Sequence, residues 1–230
     1  MNFLGIVQAL QSETGASGQP PGDITGQTNE NAQLVNWTRL AWVQIQSMRL
    51  WRFLRSSKTV TLIIGQTDYP LATLPIPWTD FRELDAIDTS NKRSRVILTL
   101  PNGNKQPLQY LPYETFLDAF ALAPVTSTTP VAFTLTPGNL ALKFFPTPDA
   151  VYTITLPYFK QAQQLTAATD TPIIDAELHY AIVYRALMLY SDHNNISDFR
   201  QNVKAKYRQE LSKMIERYEP VFEVAGEPLA

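Results

Sequence analysis

The two histidines of the chain, His179 and His193, are the first residues to consider for metal binding or acid–base chemistry. The surrounding pattern predicts a single helix, and fourteen residues of helix cover roughly 21 Å. Two imidazoles that far apart cannot bind the same metal ion. Because His179 falls in the first turn of the predicted helix, we expect it to be a surface or interface residue.

Three carboxylates, Asp170, Asp175 and Glu177, cluster just before the same helix. Two of them occupy positions typical of helix caps, where a side-chain oxygen accepts an unpaired backbone N–H. An acid–base pair would require a neighbour that shifts one of the pKa values, and the sequence shows no such partner. We therefore interpret the cluster as helix capping.

Thiol chemistry and the common catalytic motifs are excluded. The chain has no cysteine, which rules out disulfide scaffolds, zinc ribbons and thiol nucleophiles. It also contains no P-loop, no dinucleotide-binding glycine pattern, no HExxH and no GxSxG. We predict that the protein is not an enzyme and binds no cofactor or metal. A hydrolase using Asp68, Asp80 or His179 is the alternative, and no spacing among these residues supports it.

A basic, aromatic segment at residues 48–58 is the clearest electrostatic feature. Its cations are Arg49, Arg52, Arg55 and Lys58, and its aromatic residues are Trp51 and Phe53. One interpretation is a solvated helix end, where the helix dipole favours cations. The other is a contact with DNA phosphates or with an acidic partner. The net charge of −2 argues against a dedicated nucleic-acid-binding protein.

The C-terminal residues 219–230 contain three acidic residues and no basic one. Their apolar side chains, Val221, Phe222 and Val224, alternate with acids between two prolines. Terminal segments are often simply disordered. An extended segment of this composition could instead add a strand to a partner or fill one of its grooves. We name these three residues as candidates for anchoring the chain to a partner.

Periodic apolar positions predict helices at both ends of the chain and strands in the middle. The predicted helices cover residues 2–12, 29–55, 112–120, 175–192 and 197–218. The predicted strands cover residues 59–64, 82–89, 95–100, 105–110, 131–135, 140–145 and 151–159. Four of the nine glycines lie between residues 15 and 26 and predict a long loop at 12–28.

This order of elements predicts an α+β fold. We expect an antiparallel helical bundle, formed by residues 1–58 and 165–218, with a β-rich lobe inserted at residues 59–164 and an extended tail at 219–230. No apolar run approaches the about 18 residues of a membrane span. The start of the chain lacks a basic region, and the first positive side chain is Arg39. A signal peptide is therefore not expected.

The predicted helix near the C-terminal end is apolar nearly all round between residues 178 and 190. A helix of this kind is buried on several sides. We name His179, Tyr184 and Met188 as candidates for an interface between subunits.

Four stretches, taken in order, resemble the head-to-tail adaptor (connector) proteins of tailed bacteriophages, including the tail tubular protein A type. They are residues 48–53 (MRLWRF), 65–71 (GQTDYPL) with 78–84 (WTDFREL), 140–146 (LALKFFP) with 157–159 (PYF), and 169–174 (TDTPII) before the helix that carries His179. The resemblance covers roughly residues 30–195. The glycine-rich loop at 12–28 has no counterpart in the family pattern, and its role is open.

The resemblance implies a structural virion protein at the head–tail junction, assembled in the host cytoplasm. It implies a dodecameric ring between the portal protein and the tail or nozzle protein, with genomic DNA passing through the lumen in transient, non-specific contact. In some such adaptors the C-terminal segment reaches into the portal, which would suit Val221, Phe222 and Val224. No membrane contact is implied. The alternative is a nucleic-acid-binding module that uses the basic segment 48–58.

Overall fold

The computed structural model describes residues 1–15, 19–74, 79–87, 94–124, 126–138 and 140–219. Within them the protein is mixed α+β, with five α-helices and two β-sheets. The chain divides into two compact units. The helical unit comprises Met1–Leu54 and Ala162–Ala230, and the sheet unit comprises Arg55–Gln161.

The order of helices and strands follows the prediction with several different bounds, except that Asp68–Pro70 forms a strand that the sequence did not predict. The helices are α1 (Phe3–Thr14), α2 (Asn29–Ser47), α3 (Tyr113–Phe120), α4 (Tyr180–His193) and α5 (Ser197–Tyr218). The strands are β1 (Arg55–Leu62), β2 (Asp68–Pro70), β3 (Phe81–Leu84), β4 (Ile97–Thr99), β5 (Lys105–Pro107), β6 (Gln109–Tyr110), β7 (Ala132–Leu135), β8 (Ala141–Phe145) and β9 (Tyr152–Lys160). Short 3₁₀ turns cover Arg52–Leu54, Leu71–Thr73 and Ala176–Leu178.

Helix α1 begins at a side-chain cap and ends at a glycine. The Asn2 carboxamide oxygen accepts the N–H of Gly5 at 2.9 Å, which satisfies one of the unpaired donors of the first turn. Gly15 ends the helix with φ 67°, a left-handed conformation that glycine adopts without steric cost. The predicted apolar positions are all fully buried, namely Phe3, Ile6, Val7 and Leu10. The predicted helical spacing of this segment is confirmed.

Helix α4 is the central element of the helical unit and packs against α1, α2 and α5. Towards its start, the Arg185 guanidinium donates to Gln44 of α2 at 2.9 Å and lies over the ring of Tyr207 of α5. Towards its end, the Tyr190 ring meets that of Trp37 in the middle of α2. The buried side of α4 comprises Ala181, Ile182, Val183, Ala186, Leu187, Met188 and Ser191. The predicted burial of this helix on several sides is confirmed.

The prediction that α2 continues to Arg55 was wrong. The helix ends at Ser47, and the chain turns so that the Trp51 indole becomes fully buried. Its N–H donates to the carbonyl of Ile45 at 2.7 Å, back in the last turn of α2. Burying a tryptophan in this way releases more free energy than another turn of exposed helix would. The segment 48–58 is consequently a turn, a 3₁₀ turn and a strand, and of its four cations only Arg49 lies at the end of α2.

The sheet unit contains two sheets. In the first, β9 pairs antiparallel with β1 along one side and with β3 and β4 along the other, and β4 pairs with β5. In the second, the strand order is β2-β8-β7-β6, with β6 parallel to β7. The predicted return of residues 105–110 as a hairpin is correct only for β5, because β6 leaves for the second sheet. Apolar side chains from both sheets form one core, including Val60, Leu62, Leu98, Phe133, Phe144, Ile154 and Tyr158.

Candidate functional site

His179 is buried in the helical unit, so of the two predicted settings, surface or interface, the surface one was wrong. Only 1% of the residue is exposed. The amino group of Met1 donates to its Nδ1 at 2.8 Å, so that Nε2 carries the proton donated to the carbonyl of Ile174 at 3.1 Å. Burial lowers the pKa of His179 and favours this neutral form. The imidazole thus ties the first residue of the chain to the segment before α4.

The other two residues named with His179 differ in exposure. Met188 is buried in the helical unit, with 8% of the residue exposed. Tyr184 is half-buried, and its ring lies 5.8 Å from that of Tyr180 and 5.4 Å from the Lys206 ammonium. An interface role for the three residues stays a prediction, and Tyr184 offers the most accessible side chain among them.

The acidic cluster before α4 is structural. The Asp170 carboxylate accepts the N–H groups of Thr166 and Ala167 at 2.7 and 2.8 Å, and these hydrogen bonds lower its pKa. It therefore caps a turn. Asp175 makes no side-chain capping bond, contrary to prediction. It forms an ion pair with Arg217 of α5, which also lies 3.3 Å from Glu177.

The four cations of the basic segment lie in two different settings. In the helical unit, Arg49 pairs with Glu219, and Arg52 is exposed in the 3₁₀ turn. In the sheet unit, Arg55 pairs with Asp85 and Lys58 with Asp80. A contact of these cations with DNA or an acidic partner stays a prediction. At least three of the four are already engaged by carboxylates of the same chain.

Asp85 is a nearly buried carboxylate, 6% exposed, that accepts hydrogen bonds from two guanidinium groups. One belongs to Arg55 at the start of β1, and the other to Arg95 just before β4. Two backbone hydrogen bonds lie beside these ion pairs. The N–H of Asp85 donates to the carbonyl of Pro157 at 3.0 Å, and the N–H of Arg95 donates to the carbonyl of Ala86 at 2.9 Å. This ion triad joins three segments of the first sheet. No pattern in the amino-acid sequence indicates this triad.

A second cluster of polar side chains in the sheet unit is centred on Asp80. The Lys58 ammonium lies 3.0 Å from one carboxylate oxygen, and the Tyr158 hydroxyl donates to the other at 2.9 Å. Burial acts to raise the pKa of Asp80, but the hydrogen bonds from Lys58 and Tyr158 outweigh it and lower that pKa. Burial, together with the bond to Asp80, raises the pKa of Tyr158. A carboxylate held in its charged form by two donors is a poor general base.

Asp68, the other carboxylate considered for hydrolysis, is exposed. It accepts a hydrogen bond from the Thr67 hydroxyl at 2.7 Å and lies 3.7 Å from the Lys143 ammonium. The described residues contain no group of three or more histidine or acidic side chains that could hold a metal ion. Across the same residues, no helix combines the length and apolar character that crossing a bilayer requires.

A concavity of about 510 Å³ in the helical unit lies between the 3₁₀ turn before α4 and the end of α5. Its lining comprises Glu177, Leu178, Lys213, Glu216 and Arg217. Acids and bases alternate around it, and Arg217 is paired with Asp175 and Glu177. Such a mixed lining does not select one charged ligand.

Two predicted features lie wholly or partly outside the described residues. Val221, Phe222 and Val224 of the predicted anchoring tail are outside them. In the predicted loop 12–28, α1 extends to Thr14, and residues 16–18 are not described. The rest of the loop is attached to the helical unit. Ile24 is 5% exposed, and the Gln8 side chain of α1 donates to the carbonyl of Pro21 at 3.0 Å.

The geometry therefore shows a protein whose polar clusters hold segments together and present no catalytic arrangement in the described residues. No curated protein sequence matches the chain. A family match does extend over residues 1–226, and its description is SU10 adaptor protein. The chain belongs to the SU10 adaptor protein family and is a structural adaptor protein of a bacteriophage.

Proposed function

We propose that the protein is the head-to-tail adaptor of its virion, forming a dodecameric ring between the portal protein and the tail or nozzle protein. The observation that carries this proposal is the family match, which includes both the helical unit and the sheet unit. Genomic DNA would pass through the lumen of the ring, with transient, non-specific contact. Assembly would occur in the host cytoplasm, and the adaptor would act without catalysis or a cofactor.

The two units would have different roles in the ring. We infer that the helical unit forms a bundle that is the body of the ring, and that the sheet unit forms an inserted lobe. The packing of α4 against α1, α2 and α5 supports a rigid body. The apolar residues of α4 are largely buried by that packing, so contacts between copies would use the partly exposed side chains of the helix. Tyr184, with its neighbours Tyr180 and Lys206, is the best placed of the predicted interface residues.

The C-terminal tail would anchor the ring to the portal. Its last described residue, Glu219, is paired with Arg49, so the tail leaves from the helical unit. Burial of the Phe222 side chain in a partner would contribute about 1.5–3 kcal/mol. Such a contact is weak for one copy. In a ring, many equal contacts act together through their high effective concentration, which makes docking strong.

Electron microscopy of the protein mixed with its portal tests the proposal directly. We expect rings seated on the portal, and we expect a variant that ends at residue 218 to dock poorly while keeping its fold. A substitution of Val221, Phe222 and Val224 by serine keeps the tail length and is the matched variant for the apolar contact. Truncated protein that joins heads to tails in normal yield would refute the anchoring role.

A nucleic-acid-binding module that uses the segment 48–58 is the alternative function. It would require tight binding of double-stranded DNA by the isolated protein, with an affinity that falls steeply as salt is added. The pairing of Arg49, Arg55 and Lys58 with acidic residues argues for weak binding. A DNA titration at two salt concentrations distinguishes the two functions.

A further inference from the structure

Strand β1 lies at the edge of the first sheet, with β9 on one side and no other strand of the described residues on the other. The direction of its backbone groups follows from β9. The carbonyl of Pro157 accepts the N–H of Asp85, on the side of β9 away from β1. A strand residue points its N–H and C=O to the same side, and successive residues alternate. Odd-numbered residues of β9 therefore face away from β1, and even-numbered residues face it.

The β1 residues that pair with odd-numbered residues of β9 are Arg55, Ser57, Thr59 and Thr61. Their backbone N–H and C=O groups point outward, and all four residues are exposed. No hydrogen bond to these backbone groups occurs within the described part of the chain. The series of outward-pointing backbone groups without a partner ends before Ile63, whose N–H donates to the Tyr69 hydroxyl at 2.7 Å. We call the four residues the β1 edge.

The usual protections of an edge strand are missing from β1. The pairing with β9 is continuous from Arg55 to Leu62, without a bulge. Residues 59–64 (TVTLII) contain no charge, no proline and no glycine. The one lysine of the strand, Lys58, has its ammonium group 3.0 Å from Asp80. Long edges of this composition readily pair with another strand.

We propose that the β1 edge binds the β1 edge of a second copy of this chain, antiparallel and centred on Thr59. In this register Thr59 faces its own mate and Ser57 faces Thr61. The outward-pointing groups of Ser57, Thr59 and Thr61 then meet those of the second copy, giving about six hydrogen bonds between the two chains. Threonine and serine facing one another across antiparallel strands are favourable pairs.

The charges of the strand suit this register. Arg55 comes opposite Ile63 of the second copy, and Lys58 comes opposite Val60. No two like charges face each other, whereas a parallel pairing in register would place each cation beside its mate. The occupant that best matches the side chains, the backbone groups and the charges of this edge is therefore the edge itself.

The contact goes beyond the adaptor function and does not depend on it. A two-fold contact closes on itself and cannot extend into a ring. The paired form is therefore a dimer of the protein in solution, in which an aggregation-prone edge is covered before any ring exists.

Replacing Thr59 by proline tests the proposal. The N–H of Thr59 points outward, so Thr59→Pro removes a donor of the interface and no hydrogen bond to β9, and prolines are tolerated at sheet edges. Sedimentation equilibrium of the full chain should show a wild-type dimer and at least about tenfold weaker association of Thr59→Pro. Thr59→Val keeps the backbone donor and should associate like the wild type.

A single engineered thiol gives an independent measurement, because the chain has no cysteine of its own. Two-fold pairing places the two copies of Thr59→Cys side by side, so a short bismaleimide should crosslink them efficiently. Leu122→Cys, at a fully exposed side chain outside β1, is the matched control and should crosslink poorly. A wild-type protein that is monomeric at about 100 µM overturns the proposal. Equal association of the proline and valine variants, or equal crosslinking at the two positions, does so too.

Discussion

Replacing Asp85 by asparagine would test whether the buried carboxylate holds the first sheet together. The substitution keeps the shape of the side chain and one acceptor oxygen but removes the charge that faces Arg55 and Arg95. It creates no cavity. Any loss of stability therefore reports on the ion triad and not on packing.

The size of the effect follows from burial. Removing one partner of a fully buried ion pair costs about 3–5 kcal/mol, because the other charge is left without compensation. The side chains of Arg55 and Arg95 are 40% and 30% exposed, so water can solvate them in part. We therefore expect Asp85→Asn to lower the free energy of unfolding by about 2–3 kcal/mol.

Two measurements would check this value. Urea unfolding followed by circular dichroism gives the global loss. Hydrogen exchange at the amide of Arg95, which donates to the carbonyl of Ala86, gives the local loss. Exchange there should be about 30–150 times faster in the variant. Asp68→Asn is the matched control, since Asp68 is 49% exposed and 3.7 Å from Lys143, and it should cost less than about 0.5 kcal/mol.

A free energy of unfolding for Asp85→Asn within about 0.5 kcal/mol of the wild-type value, with unchanged exchange at Arg95, would refute this role of Asp85. That result would mean that the strand pairing with β9 alone fixes these segments. A double variant, Asp85→Asn with Arg95→Met, distinguishes the contribution of the ion triad from that of the strand pairing. The second substitution should lower the free energy of unfolding little further once the carboxylate charge is gone.

Three further predictions concern Trp51, Asp80 and His179. Trp51→Ala should lower the free energy of unfolding by about 3–5 kcal/mol in thermal or urea unfolding, whereas Leu50→Ala, at a 39% exposed residue, should cost less than about 1 kcal/mol. The lowered pKa of Asp80 means that its charge stabilises the fold above the ordinary carboxyl pKa. That contribution disappears as pH falls through the lowered value, so Asp80→Asn should unfold with a weaker dependence on acid pH. The lowered pKa of His179 means that the unfolded chain takes up a proton first as pH falls below about 6.5. The protein should lose stability in that range, His179→Asn should lose less, and an NMR titration of the imidazole should give a midpoint below the ordinary one.

Local patterns in the sequence were sufficient where neighbours along the chain determine structure. The spacing of Phe3, Ile6, Val7 and Leu10 identified α1. The turn signals at residues 137–139 and 146–149 in the sequence delimited β7, β8 and β9, and the turn at residues 101–104 identified the pairing of β4 with β5. In each case the decisive contacts lie within one element or across one short turn.

Contacts between distant parts of the chain could not be read in the same way. Residues 55–58 look like a charged helix end, but they pair with Leu156–Phe159, about a hundred positions away. His179 looked accessible because its partner, the amino group of Met1, lies at the other end of the chain. Asp85 has no local signature, since its two guanidinium partners come from different segments. The polar residues that hold this fold are the ones that single-sequence patterns describe least well.

The ion pairs of the basic segment 48–58 affect how strongly the protein could bind DNA. The affinity of a protein for DNA depends on how many phosphates its cations neutralise, because each contact releases counterions. Arg49, Arg55 and Lys58 already face Glu219, Asp85 and Asp80 of their own chain, so binding a phosphate would require competition with a carboxylate. The net charge of −2 adds no long-range attraction. Cations paired in this way would bind DNA weakly, which would suit the passage of DNA that we propose. Replacing Asp80 and Asp85 by asparagine should therefore strengthen DNA binding at low salt, and unchanged binding would argue that these cations do not face DNA.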